Sequence, residues 1–427
     1  MSIDSAMYIG VSGLDATSNA INIVGDNIAN SSTIGFKSQR AEFSDMLGGA
    51  IGNDQLGGGV LLDGTQTQFT QGQLQTTGNP LDLAIQGNGL FEVAGSNNGQ
   101  QGTFYTRDGQ FNMDSSGYVV NQDGLRLQGY TIDSSGNRSS AVGDLALGAT
   151  QSPAVPTANA KLTLNLNSND TTPTVTPFDP TNSASYNYQT SFTAYDSLGA
   201  AHQVQEYFVN NGNGSWTANA MVDGGDVTGG TKGVMTSIGS TQLQFNTDGS
   251  LQSQTGSLSA SFVGATPNQA IKMSFGDDIA SGGTGLAGST DFASADSVNG
   301  TSIDGRASGT LTSVSVGADG KITGTYDNGQ SAVIAQVALA SFQNEAGLTR
   351  EGNNLYAASS DSGQPLTDVP GTGARGGIQA GALESSNVDI SNELVDLISF
   401  QNAYQANSKT ITTADDMIQT AVNLKQT

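Results

Sequence analysis

The chain contains no cysteine and a single histidine, His202. The first absence removes disulfides, thiolate metal sites and thiol nucleophiles. The second removes any His-rich metal site, and leaves a Ser-His-Asp arrangement only if His202 itself serves; its setting reads instead as a strand residue. Basic residues are scarce and scattered, 14 against 38 acidic ones, for a formal charge of −24. Phosphate binding needs clustered Lys and Arg, so nucleic acid is excluded as a partner class. No stretch approaches the ~18 apolar residues of a membrane helix, and no membrane insertion is expected. A secretory signal pattern is missing as well: the first basic residue is Lys37, and Asp4 and Asp15 interrupt any apolar run.

In place of charge the chain carries 57 glycines with abundant Ser, Thr, Asn and Gln. Such a chain turns often and covers itself with small neutral polar groups, which suits strands and tight loops. At 427 residues it has length for two or three domains, each with its own core. The acidic surplus reads as solubility.

Helical patterns occupy the two ends. Met7, Leu14, Ile21 and Ile28 recur every seven residues, with Val11 and Val24 beside them, before Asn30-Ser-Ser-Thr-Ile-Gly35 breaks the helix. Residues 36–47 read as a short amphipathic piece and 48–59 as a Gly-rich extended one. From Ser386 the helical period returns: Ile390, Leu397, Tyr404, Ile411 and Ile418 are spaced by seven, with Leu394 and Val422 on the adjacent row. Ser386 followed by Asp389 fits a capping signature. Both second heptad rows hold small or polar residues (Ser18 and Gly25; Gln401, Ser408 and Asp415), where a two-stranded coiled coil prefers apolar ones. That pattern fits helices packed against several neighbours.

The middle reads as short strands. Leu81, Leu83 and Ile85 alternate, as do Leu162, Leu164 and Leu166, and Asp123-Gly124, Asp248-Gly249, Asp319-Gly320 and Asn328-Gly329 mark hairpin turns. Residues 149–159 form a linker-like boundary. Two G-x-G-x-x-G matches, at 283–288 and 371–376, are what this glycine content gives by chance, and neither opens a helical pattern. Asp223-Gly-Gly-Asp226 lacks the alternating ligands of a calcium loop. No catalytic constellation, cofactor site or metal site emerges, so an enzyme is not expected.

Several of these segments resemble one family. Met7-Tyr-Ile-Gly-Val-Ser-Gly-Leu14, residues 22–30 with Asn27 and Asn30, Gly35-Phe36-Lys37 and Phe43 are similar to the N-terminal motif of flagellar rod and hook axial proteins. Ser386-Asn-Val-Asp389 and Gln401-Asn-Ala-Tyr-Gln-Ala-Asn-Ser-Lys409 resemble the matching C-terminal motif. Residues 77–90, 105–109, 127–130 and 304–329 look like the β domain shared by hook and distal rod proteins. The block at 160–302, entered through Lys161-Leu-Thr-Leu-Asn-Leu-Asn167, points within the family to the hook type, because rod members lack such an insert.

The resemblance implies a multidomain fold of paired, coiled-coil-like terminal α-helices enclosing all-β middle domains, the second β domain inserted into the first. The expected divisions are a helical segment at 1–47, an extended connection at 48–75, the shared β domain at 76–148 and 303–382, the inserted outer domain at 149–302, and a helical segment at 383–427. Met7, Val11, Leu14, Ile21, Ile28, Ile390, Leu394, Leu397, Tyr404, Ile411 and Ile418 are the expected helix and polymer interface, and Asn27, Asn30, Gly35 and Phe36 the motif turn. By the same resemblance the chain is a structural subunit of a homopolymer that transmits torque from rod to filament as a flexible joint. Its implied partners are itself, the distal rod protein, the hook cap protein, the hook–filament junction protein and the flagellar type III export apparatus. Export without a cleaved signal peptide, to an extracellular place in the hook and basal body, follows. A distal rod subunit is the nearer alternative, and a secreted β-rich adhesin or glycan-binding protein the more remote one.

Overall fold

Two long helices bound a β-rich middle: α1, Ile3–Ala29, and α2, Ile390–Lys425. The computed structural model describes residues 3–51, 54–133, 136–147 and 151–425. The chain folds into two compact units, one formed by residues 1–150, 313–325 and 331–427 and the other by 151–312 and 326–330. The returning stretch of the second unit thus reaches 312, ten residues past the limit the sequence suggested, and also takes in the turn at 326–330.

Neither helix contains proline, and both carry an apolar residue on almost every turn. α1 ends where Asn30 folds back, its amide donating to Asp26 Oδ1 at 3.0 Å and its Oδ1 accepting from Thr33 Oγ1 at 3.1 Å. At the start of α2 the cap is Asp389, whose Oδ1 accepts from Ser391 N at 2.9 Å and Asn392 N at 3.3 Å. Ser386 is outside that cap and accepts only from Val388 N.

Residues 39–47, placed by the sequence in a helical segment, are strand instead. With the extended stretch that follows they make a long antiparallel hairpin, β1 (Gln39–Ile51) with β2 (Asp54–Thr67), laid along α1. Glycine makes this possible: a Cβ at Gly59 would strike the Ser12 hydroxyl, which accepts instead from the adjacent Val60 N at 3.2 Å. A pattern search finds amphipathic strands by alternation, and these glycines remove the alternation.

The β core of the first unit is assembled from both halves of its chain. Leu83, Ile85, Phe91, Val93, Phe111, Leu125, Leu127 and Leu145 pack with Ile322, Val337, Leu339, Leu355 and Ile378, all essentially buried. Incoming and outgoing strands run side by side, Leu74–Thr76 against Ala382–Glu384 and Leu83–Gln86 against Gly377–Ala380.

The second unit is a strongly connected antiparallel meander, in the order Tyr188–Tyr195, Ala201–Gly212, Ser215–Asp223, Met235–Phe245, Leu251–Ala260 and Gln269–Ser274. Asn159–Asn167 then lies parallel to Gln269–Ser274. Leu162, Leu164 and Leu166 all point into the core with Trp216, Phe208, Phe245 and Phe275, as period-two alternation requires.

Not every inward position is apolar. Glu206 faces the same core between Val204 and Phe208, opposite Thr190 and Ala220 on the flanking strands, and neither carboxylate oxygen has a hydrogen-bond partner. Burial pushes its carboxyl from 4.5 up to about 8. The folded form therefore holds a proton that the unfolded chain releases above pH 4.5, and stability falls as pH rises from there through about 8. The loss attributable to this group is on the order of 5 kcal/mol. Thermal melts of the wild type at pH 5 and pH 9 should differ accordingly, and Glu206→Gln should flatten the difference; an unchanged pH slope in the variant refutes the assignment.

Candidate assembly surface and the clamp beneath it

α1 and α2 pack against each other within one chain, along a seam of small residues. Gly10, Gly13, Ala16, Thr17, Ala20, Val24 and Asn27 are the buried positions described in α1, and all but Ala16 follow one row spaced by three and four. An added Cβ at Gly10 would come within 2.8 Å of Ile411 Cγ1, and one at Gly13 within 2.5 Å of the Asn407 amide. Close approach here depends on the missing side chains.

The heptad residues singled out from sequence lie mostly beside this seam. Met7, Leu14, Ile21 and Ile28 are half-buried and Val11 is 44% exposed. On α2, Leu397, Ile411 and Ile418 are half-buried, whereas Ile390, Leu394 and Tyr404 are exposed, at 48%, 46% and 42%. Ile411 meets the seam glycine Gly10 directly. The small-residue row at 10, 13, 17 and 20 was present in the sequence as a spacing signal, but an apolar count does not register glycine, alanine and threonine.

Beneath the helices the motif turn is tied down by polar contacts. Asn27 donates from Nδ2 to Gln39 O at 2.8 Å and to Glu393 Oε1 at 3.0 Å, and accepts from Gln39 N at 2.9 Å. One amide thereby joins α1, β1 and the first turn of α2. Asn30 stays within its own turn. Gly35 adopts φ +69°, where a Cβ would fall 2.5 Å from Asp108 N, and its N–H donates to Glu384 O at 2.8 Å. Phe36 is buried, with the Arg350 guanidinium 5.5 Å from its ring centroid.

At the centre of the clamp is Glu384, fully buried between two equally buried cations. Lys37 Nζ lies 2.7 Å from Oε1 and Arg107 Nη1 lies 3.1 Å from Oε2. Gly72 N also donates to Oε1 at 2.7 Å, Lys37 reaches Thr70 O, and Arg107 reaches Gly87 O. Burial pulls the Lys37 ammonium below its ordinary value, against the opposing pull of Glu384. Asn387 completes the base, accepting from Ser38 N and donating to Gln68 O and Thr70 Oγ1, each at 2.8 Å. Arg107 and Asn387 lie inside the motif segments 105–109 and 386–389 without having been singled out, and Glu384 lies outside every motif segment.

His202 is a strand residue of the second unit, stacked on Phe262, with Nε2 3.1 Å from Asp196 and Nδ1 3.3 Å from Asp226. No described helix is long and apolar enough to cross a membrane.

A β-rich chain whose two ends pair as helices with apolar side chains left exposed, above a buried polar clamp, is built as a structural subunit. Residues 7–37 match the flagella basal body rod protein family, 84–166 the flagellar hook protein FlgE/F/G D1 domain, 165–306 the flagellar basal body protein FlaE D2 domain, and 379–424 the flagellar basal body rod FlgEFG C-terminal family. The chain is 37% identical to the flagellar hook protein FlgE of Escherichia coli over 97% of its own length and 98% of that protein. It is 36% identical to that of Salmonella typhimurium over 97% and 98%, and 34% identical to that of Treponema pallidum over 99% of each. The chain belongs to the flagellar hook protein FlgE family.

Replacing Glu384 with Gln leaves two buried cations without their counter-charge and should cost about 3–5 kcal/mol of stability. Lys37→Met should cost less, about 1–3 kcal/mol, because Glu384 keeps Arg107 and the Gly72 amide. Denaturant unfolding measures both; equal losses would contradict a clamp centred on Glu384.

Proposed function

We propose that this chain is the polymerising subunit of the bacterial flagellar hook, and that its terminal helices form the inner contacts of a flexible tube that passes torque from rod to filament. The observation that carries this is the exposure of Val11, Ile390, Leu394, Val395, Ile398 and Tyr404 on helices already paired within the chain. Exposed apolar side chains gathered on a folded surface mark an interaction site, and the family supplies the partner, further copies of the same chain. In this reading the helices pair in coiled-coil fashion, the shared β domain at 76–148 and 303–382 makes the middle of the wall, and the block at 149–302 is an inserted outer domain. Its surface is acidic, with Lys161, Lys232 and Lys272 the only cations at 160–302 against eleven Asp and Glu. Contacts between such surfaces are wet and reversible, which a bending tube needs. The distal rod protein, the hook cap protein and the hook–filament junction protein are the remaining axial partners, reached after export through the flagellar type III apparatus without a cleaved signal peptide, to an extracellular position.

Val11→Asp and Leu394→Asp alter exposed positions and should leave monomer stability within about 0.5 kcal/mol while abolishing or strongly reducing polymer formation measured by sedimentation. Unimpaired assembly of both variants refutes this surface.

A further inference from the structure

The carboxylates and cations of the helix pair are separated along it. α1 contains no Lys or Arg, and α2 has two in its 36 residues, Lys409 and Lys425. Asp389, Glu393 and Asp396 crowd the first two turns of α2. Asp389 caps the helix and Glu393 accepts from Asn27, whereas Asp396 is exposed and forms no ion pair with any described residue. Burial, with Asp396 and Asp389 adding like charge, holds the Glu393 carboxyl above its ordinary value.

Glu393 and Asp396 line a crevice of about 240 Å³ whose apolar floor is the half-buried Ile23 and Phe400. Arg40 also lines it, but its guanidinium is turned to Gln66 Oε1 at 2.9 Å and Glu42 Oε1 at 3.4 Å. The crevice therefore offers an apolar floor and uncompensated negative charge. Lys409 is exposed and in no ion pair with a described residue, and it borders a shallow groove shared with Met417, itself 55% exposed.

Lys409 follows Asp396 by thirteen residues and Glu393 by sixteen. At roughly 100° per residue these lie on nearly opposite faces of α2, so the chain cannot join them to each other. Two different surfaces of one molecule, complementary in charge and apolar contact, make a head-to-tail contact that repeats from copy to copy.

We propose that Lys409 and Met417 of one copy of this chain dock on the Glu393–Asp396 crevice of a neighbouring copy, its helix pair parallel and displaced by about 20–24 Å along the axis. The ammonium meets the Asp396 carboxylate and the Met417 thioether covers the apolar floor. This joint rests on the polymer reading above and names the contact that sets its axial step.

The test uses the full chain and charge reversal. Lys409→Glu and Asp396→Lys each place like charges across the joint and should raise the critical concentration for assembly at least about tenfold. The double variant Lys409→Glu with Asp396→Lys restores opposite charges in the reverse sense and should return the critical concentration to near the wild-type value. Both positions are exposed, so circular dichroism melts of the monomers should be unchanged, which separates lost assembly from lost folding. Single variants that assemble normally, or a double variant no better than the worse single one, overturn the pairing while leaving the polymer reading intact. A wild-type chain that remains monomeric under every condition overturns the polymer reading, and the joint with it.

Discussion

One carboxylate holds two cations in the dry interior of the first unit, and the helical ends depend on it. Three charges stripped of water are costly to bury, and the arrangement is favourable only when Glu384, Lys37 and Arg107 arrive together with the backbone groups of Thr70, Gly72 and Gly87. Those residues come from five stretches of sequence, at 37, 70–72, 87, 107 and 384. The end of α1, the strand before α2 and the β core are therefore ordered as a set. A chain that spends only 12% of its residues on charge places two of its 14 basic residues here, which indicates geometry being specified rather than solubility being served.

Above that base, the small-residue seam decides what remains for other molecules. Because Gly10 and Gly13 let the backbone of α1 approach Asn407 and Ile411, pairing within the chain uses little of the apolar surface on either helix. Larger residues in those positions would hold the helices apart and draw Met7, Leu14 and Ile21 into the intramolecular contact. The present arrangement leaves them half-buried on the flank, beside an exposed Val11. Apolar surface reserved in this way suits a second contact partner, and it also explains why helices with so much lipophilic sequence bury so little of it in the single chain.

The legibility of these features follows their range along the chain. Helix periodicity and the Leu162–Leu164–Leu166 alternation are local and could be read directly, and the hairpin turns at Asn328 and Asp248 announced themselves by residue type. β1 and β2 could not be read, because the glycines that fit β2 to α1 erase the pattern that identifies a strand. The row of α1 that faces α2 was misleading for a related reason: apolar periodicity marks where hydrophobic atoms recur, not where two backbones approach most closely. Glu384 and Arg107 are separated from Lys37 by hundreds and tens of residues, and no local pattern pairs the three. Their pairing is a product of topology.

The acidity of the second unit is not uniform in its consequence. Several of its carboxylates hold their own turns: Asp223 accepts from the backbone of Gly225 and Gly233, Asp248 from the hydroxyl and backbone of Ser250, and Asp179 likewise from Thr181. These bonds keep all three below the ordinary carboxylate value, so their contribution is present above about pH 4 and fades as acid protonates them. Glu206 works in the opposite sense, favouring the fold only while it keeps its proton. The turn aspartates and the buried glutamate therefore bracket a stability maximum on the mildly acidic side of neutrality. Above that maximum the turn aspartates are already ionised, so the surface charge stays nearly constant and the fall in stability with rising pH belongs to the core. Salt screens the surface charge but not the buried carboxyl, so that fall should persist at high ionic strength.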